Sequence, residues 1–181
     1  MKVIYCLIIS LCGLFARAND LDMFCLKGPV DSLCVIMNDA GLEWQNEFVF
    51  DEKGNLIEVD GEEFICERGA DGRMQSIVLE EAVEDDEDTF TTIEMKLTYD
   101  PATGRVEKVT SSSVDETWTQ LYRYDAKGLL KERSYDYSGE DEVWTYTYLK
   151  FDEHGNWTER LEKLGSMDQT IRQIRHITYR K

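Results

Sequence analysis

One short pattern recurs along this chain and limits its fold more than any other feature: an aromatic residue, an aspartate, two or three turn residues and a glycine. It reads Phe50-Asp51-Glu52-Lys53-Gly54, Tyr99-Asp100-Pro101-Ala102-Thr103-Gly104, Tyr124-Asp125-Ala126-Lys127-Gly128 and Phe151-Asp152-Glu153-His154-Gly155. Two weaker copies are Phe24-Cys25-Leu26-Lys27-Gly28, with cysteine in the aspartate's place, and Arg68-Gly69-Ala70-Asp71-Gly72. The six glycines are separated by 26, 18, 32, 24 and 27 residues, which fits one hairpin per repeat with outer loops of unequal length.

Each part of the pattern has a job in a turn between two strands. An aspartate folds its carboxylate onto backbone amides further along, and a glycine supplies the positive φ that closes the loop. Asp51, Gly54, Asp100, Gly104, Asp125, Gly128, Asp152 and Gly155 are therefore read as structural turn residues. Two positions after each glycine stands Val30, Leu56, Met74, Val106, Leu130 or Trp157, the first inward residue of the returning strand. Stepping back from the aromatic by twos gives Phe48 and Trp44, then Leu97, Met95 and Ile93, then Tyr122 and Trp118, then Leu149, all on one face of a sheet. Glu47, Glu94, Lys96, Thr119 and Arg123 fall on the other, wet face. The expected fold is all-β: an antiparallel β-meander of hairpin repeats forming a twisted or curled sheet, with partial closure or a second layer left open.

Trp144-Thr145-Tyr146-Thr147-Tyr148 breaks this division, because its large aromatics fall on the face that should be wet. Two readings stand side by side. Either the sheet curls or gains a second layer that buries both faces locally, or Trp118, Trp144, Tyr146 and Tyr148 form an exposed strip that binds a ligand.

The first residues set the compartment. Met1 and Lys2 precede an apolar run from Val3 to Phe15 and then Ala16-Arg17-Ala18, the pattern of a signal peptide cleaved after Ala18. Residues 19–181 would then form one β-repeat domain, exported to the periplasm, the outer surface or the medium. The apolar run is too short for a membrane helix, and Leu11 before Cys12 is not the small residue a lipidation signal calls for. Losing Lys2 and Arg17 takes the formal charge from -17 to -19. Such a surface repels nucleic acid; it serves solubility or docks a basic partner. Cys25, Cys34 and Cys66 remain in an oxidising compartment, read as one disulfide of undetermined pairing plus one buried thiol.

At these repeats the chain resembles the YD-repeat, or RHS-like repeat, class of secreted bacterial proteins. Tyr99-Asp100-Pro101-Ala102-Thr103-Gly104-Arg105 and Phe151-Asp152-Glu153-His154-Gly155-Asn156-Trp157 carry the likeness, and Leu26-Lys27-Gly28 with Val30 resembles the start of short exported proteins of Bacteroidetes type. The resemblance spans roughly Phe24 to Tyr179 and implies a continuous antiparallel meander without catalytic residues. Long members of the class wrap a toxin; here the copies are too few to enclose one, and no toxin domain follows. Cys25, Arg68 and the unequal spacing depart from the pattern and argue against a regular spiral.

No catalytic motif accompanies the repeats. His154 and His176 are the two histidines; one sits in a turn and the other on a terminal strand. Nucleophile elbows, phosphate loops and metalloprotease patterns are missing, and nothing points to a cofactor or metal. The repeated aspartates are better explained by turns than by one catalytic site, although a carboxylate-based glycan hydrolase stays as a third reading. The expected function is a non-enzymatic binding or scaffold module for an unknown protein or glycan at the cell envelope. The alternative is an acidic inhibitor or immunity-type protein, carried by the net charge and by the acidic run Glu80 to Asp88, read as a hairpin tip. Arg172, Arg175, Arg180 and Lys181 are read as charges that protect an edge strand.

Overall fold

The computed structural model describes residues 19–39, 41–83, 86–137, 140–165 and 170–181. The signal-peptide segment 1–18, with Cys12, lies outside them, as do Glu84 and Asp85 of the acidic run. After a short 3-10 turn, Asp20–Asp22, come thirteen strands. They are β1 (Val30–Asp39), β2 (Leu42–Phe50), β3 (Leu56–Val59), β4 (Glu62–Glu63), β5 (Cys66–Arg68), β6 (Met74–Val83) and β7 (Asp86–Tyr99). The remainder are β8 (Val106–Ser112), β9 (Thr117–Tyr124), β10 (Leu130–Tyr137), β11 (Glu140–Phe151), β12 (Trp157–Leu164) and β13 (Thr170–Tyr179).

All thirteen form one antiparallel sheet in the order β4-β3-β2-β1-β13-β12-β11-β10-β9-β8-β7-β6-β5. Strands adjacent in the sheet are adjacent in sequence, except where β1 pairs with β13. The two edges, β4 and β5, are also consecutive in the chain and are joined by Phe64 and Ile65. Three Cα steps therefore separate Glu63 from Cys66, at most about 11 Å. An unclosed sheet whose edges stand that near each other must curl. β13 is thus an interior strand, which corrects its reading as a protected edge: Arg172 and Arg180 instead pair with Glu159 and Asp31, and Arg175 is buried.

The aspartate–glycine turns all fall at one end of the curl. In three of them the aspartate carboxylate accepts from amides two and four residues on: Lys53 and Asn55 for Asp51, Lys127 and Leu129 for Asp125, His154 and Asn156 for Asp152. Asp100, in its longer loop, accepts from Ala102 and Thr103. Gly54, Gly104, Gly128 and Gly155 have φ between +70° and +83°. At Gly128 a Cβ would meet Arg105 Nη2 at 1.9 Å, where that guanidinium lies over the Tyr124 ring. Gly128→Val is therefore expected to cost at least about 1 kcal/mol, read as a lower thermal midpoint; an unchanged midpoint would contradict the turn chemistry.

Burial raises the Asp51 carboxyl, but hydrogen bonds from Asn55 and Lys53 outweigh it and hold the group below the usual aspartate range. A carboxyl depressed by folding stabilises the fold above its unfolded pKa of about 4 and loses that contribution as pH falls through the folded value. Urea midpoints should accordingly show wild type losing more stability than Asp51→Asn between neutral pH and pH ~3. Parallel pH dependences would rule this out.

The copy Phe24–Gly28 is not a hairpin, which corrects the count of hairpin units. Residues 20–27 instead close the motif end of the curl from inside. Asp20, 1% exposed, accepts from the Leu56 amide of β3 and pairs with Arg68 of β5 at 2.6 Å. Phe24 packs edge-on against Phe48 and Phe50 of β2, its carbonyl accepts from Arg175 of β13, and the Lys27 amide donates to Asn156. One segment touches the edge strand β5, the strand β3 beside the other edge, and the middle of the sheet, which it can do only because the sheet wraps around it. Arg68 stands where the repeat has an aromatic residue because it faces Asp20.

A β-bulge follows each motif turn and sets which residues face inward. Register shifts at Val30/Ser32 and Leu130/Glu132, and opposite Phe50, Arg68, Tyr99 and Phe151, make the glycine+2 residue inward and the next inward residue glycine+5 instead of glycine+4. Val30, Leu56, Met74, Val106, Leu130 and Trp157 are at most 2% exposed. β11 holds a further shift, between Tyr148 and Lys150, where Leu149 is the extra residue. That slip turns Trp144, Tyr146 and Tyr148 inward and leaves Leu149 47% exposed, correcting its placement on the inner face. Tyr148 then takes the motif aromatic's seat. Its hydroxyl donates to the Leu130 carbonyl as Tyr99 does to Met74 and Tyr124 to Val106, and Phe151 is displaced toward solvent.

Candidate functional site: the concave face

The inner face of the curl changes character along its length. Next to the motif turns it is apolar and sealed by residues 20–27; toward the other end it becomes polar and then open. Trp44, Trp118 and Trp144 stand there, near the starts of β2, β9 and β11, the first 37% exposed and the others half-buried against the core. The two readings of the aromatic run thus resolve into a third arrangement. Trp118, Trp144, Tyr146 and Tyr148 lie on the concave face, not on an outer platform, with Tyr146 9% exposed. Trp144→Ala should cost about 1–2 kcal/mol in urea denaturation, short of the loss of ~3 or more for a fully buried aromatic.

Between the tryptophans and the sealed end lies a layer of buried polar side chains. Glu162 of β12, 5% exposed, accepts from Tyr146 Oη at 3.0 Å and from Arg133 Nη2 at 3.1 Å, and Gln173 Nε2 donates to its other oxygen. Arg160, 1% exposed, donates through Nε to Gln173 Oε1 at 2.8 Å and lies 4.3 Å over the Tyr146 ring. Trp157 takes the Arg160 guanidinium at 4.4 Å and that of Arg175 at 3.5 Å from its ring. Burial, and next the charge of Arg160, push the Arg175 guanidinium down to about 9. The phenols of Tyr146 and Tyr148 are raised by burial and stay protonated donors at neutral pH.

The arginines are what sequence reasoning missed, and a signal for them exists in the repeat. At glycine+5 the chain carries Leu33, Val59, Ile77 and Val109, then Arg133 and Arg160 in the last two units. A shared inward position that changes from aliphatic to guanidinium is readable once the bulge is known. Without it, counting by twos places these arginines outside.

Cys25, Cys34 and Cys66 are free thiols, which corrects the expected disulfide. Cys34 pairs across the ladder with Glu47 and His176 on the outer face, whereas Cys66 pairs with inward Ile77 and Cys25 is buried in the sealing segment. Burial pushes the Cys25 thiol up to about 12, far from a reactive thiolate. His154 stacks on Tyr179 at 4.1 Å in its turn. Asp51, Asp100, Asp125 and Asp152 are engaged by turn amides and are distributed around the motif end. The described part of the acidic run lies on β6 and β7, with Val83 opposite Asp86. Among the described residues no group of three metal-ligating side chains forms, and no helix is long and apolar enough to cross a membrane.

These features define an incompletely closed antiparallel β-meander, sealed at one end, with an aromatic and arginine-bearing concave face. Neither a protein-family model nor a curated protein matches the chain.

Proposed function

We propose that this chain is an exported, non-enzymatic binding module, related in its repeat chemistry to YD-repeat secreted proteins, that takes its ligand at the open end of the concave face. The observation that carries this reading is the placement of three of the chain's four tryptophans, Trp44, Trp118 and Trp144, toward one end of that face while each keeps solvent exposure. Large aromatics held half-open on a rigid sheet supply contact area at small entropic cost. An envelope protein or a glycan fits such a surface, and neither needs a metal or a reactive group.

The test is capture from the envelope fraction of the source cell, at low and high salt, with wild type and with a Trp118→Ala/Trp144→Ala double variant. The aromatic face predicts a partner retained at high salt and lost in the double variant. Retention by the variant would overturn it.

One observation favours the alternative, an acidic inhibitor of a basic protein. Glu58 and Glu63 stand directly opposite each other in the β3–β4 ladder, beside exposed Glu62. Like charges facing across strands oppose pairing, and a basic partner would relieve the repulsion. Capture confined to low salt would support this reading.

A further inference from the structure

The concave layer holds more positive charge than its own carboxylate neutralises. Arg133 and Arg160 converge there on Glu162, Arg175 lies against Trp157 with the Phe24 carbonyl as its acceptor, and the nearby buried Glu159 faces outward to Lys150 and Arg172. Asp20 is taken by Arg68. A guanidinium withdrawn from water without an anion costs several kcal/mol, and Arg175, which pairs with no carboxylate among the described residues, is also repelled by Arg160 beside the same indole.

Donors without acceptors occur at the same place. Arg175, 4% exposed, donates from Nη1 to the Phe24 carbonyl, but its Nε–H has no acceptor among the described residues. The indole N–H of Trp157, 1% exposed, has none either. Indole and guanidinium are in contact, so the two orphaned N–H groups sit on touching side chains. A buried donor left unmade carries the full desolvation penalty, which native proteins rarely tolerate. Neutral Tyr148 and the thiol of Cys25, the other titratable groups beside Arg175, bring no negative charge.

We infer that the Arg175–Trp157 contact, with Arg160 beside it, is an oxyanion site on the concave face, occupied by a small carboxylate or phosphate group, free or as the acidic head of a larger ligand. The planar N–H edge of arginine matches oxygen acceptors in geometry as well as charge. This deepens the binding reading above and rests on the concave face being the binding face. The outer surface, formally negative, repels anions, so the positive charge is kept where only a ligand reaching deep along the face meets it.

The experiment is isothermal titration of the desalted full chain with sodium acetate, sodium phosphate and sodium chloride, on wild type, Arg175→Gln and Trp157→Phe. Wild type should take up one equivalent of acetate or phosphate. Arg175→Gln should weaken uptake at least tenfold, and Trp157→Phe, which keeps an aromatic ring there and loses the donor, about tenfold. Binding of acetate without phosphate assigns a carboxylate head; binding of phosphate assigns a phosphoryl group. The absence of saturable heat with both oxyanions, chloride binding as tightly, or uptake unchanged in the variants would overturn the site. Should Arg175→Gln fail to fold, Trp157→Phe decides alone. The two proposals fail separately. Tryptophan-dependent capture without anion uptake removes the oxyanion site only, and anion uptake without such capture removes the proposed envelope ligand only.

Discussion

Replacing Arg68 by alanine is expected to destabilise the protein by about 3 kcal/mol or more, measured as a fall in the urea midpoint at unchanged slope. The asymmetry between the partners sets the size. Arg68 keeps 26% of its side chain in solvent, whereas Asp20 keeps 1%, so the variant leaves a carboxylate buried with the Leu56 amide and no cation. Asp20→Asn, which leaves the more exposed partner behind, should cost less. The pair matters because of where it lies. Asp20 accepts from β3, next to the edge strand β4, on one side of the unpaired seam and holds the edge strand β5 on the other, so it clasps two strands that no backbone ladder joins. A variant within ~0.5 kcal/mol of wild type would show that Phe64 and Ile65 alone keep the edges together.

The second large effect is expected at Trp157. Its ring is 1% exposed, meets Tyr148 edge-on at 5.8 Å and carries two guanidinium groups. Trp157→Ala should cost about 3–5 kcal/mol, clearly more than the half-buried Trp144. Equal losses at the two positions would contradict the gradient from sealed to open end on which the binding reading depends.

Much of this architecture was legible in the residues, and the part that was not has a definable cause. Asp51, Asp125 and Asp152 announce their turns because an aspartate–glycine loop is a local solution that needs nothing distant. The inward set two residues after each glycine is legible for the same reason. Leu149 was misplaced because a single extra residue reverses every face upstream of it, and no side chain in Trp144–Phe151 marks the slip. Cys25 misled in another way, since Phe24–Gly28 has the outline of a turn but no strand before it to turn from. Arg133 and Arg160 were hidden because their inward direction depends on the bulge, and Arg175 because the burial of β13 rests on its pairing with β1, remote in sequence. The four aromatic candidates stand on β9 and β11, two strands apart in the sheet, and only the third dimension decides that they line a hollow.

The pairing of β1 with β13 bears on how the molecule comes into being. Val30 meets Tyr179 across the ladder, so the first strand waits for the last. Every other seam joins near neighbours and can zip as the chain emerges, whereas this one must close a loop of nearly the entire polypeptide. Contacts of such separation are slow because chain entropy is lost before they reward it. A chain emerging from its N-terminus would therefore hold β1 to β4 as an unjoined sheet, with Leu33 and Phe48 uncovered, until the ten residues of β13 arrive. Removal of β13 would add two unpaired edges, β1 and β12, on a half-assembled molecule, making that strand the point at which folding is committed.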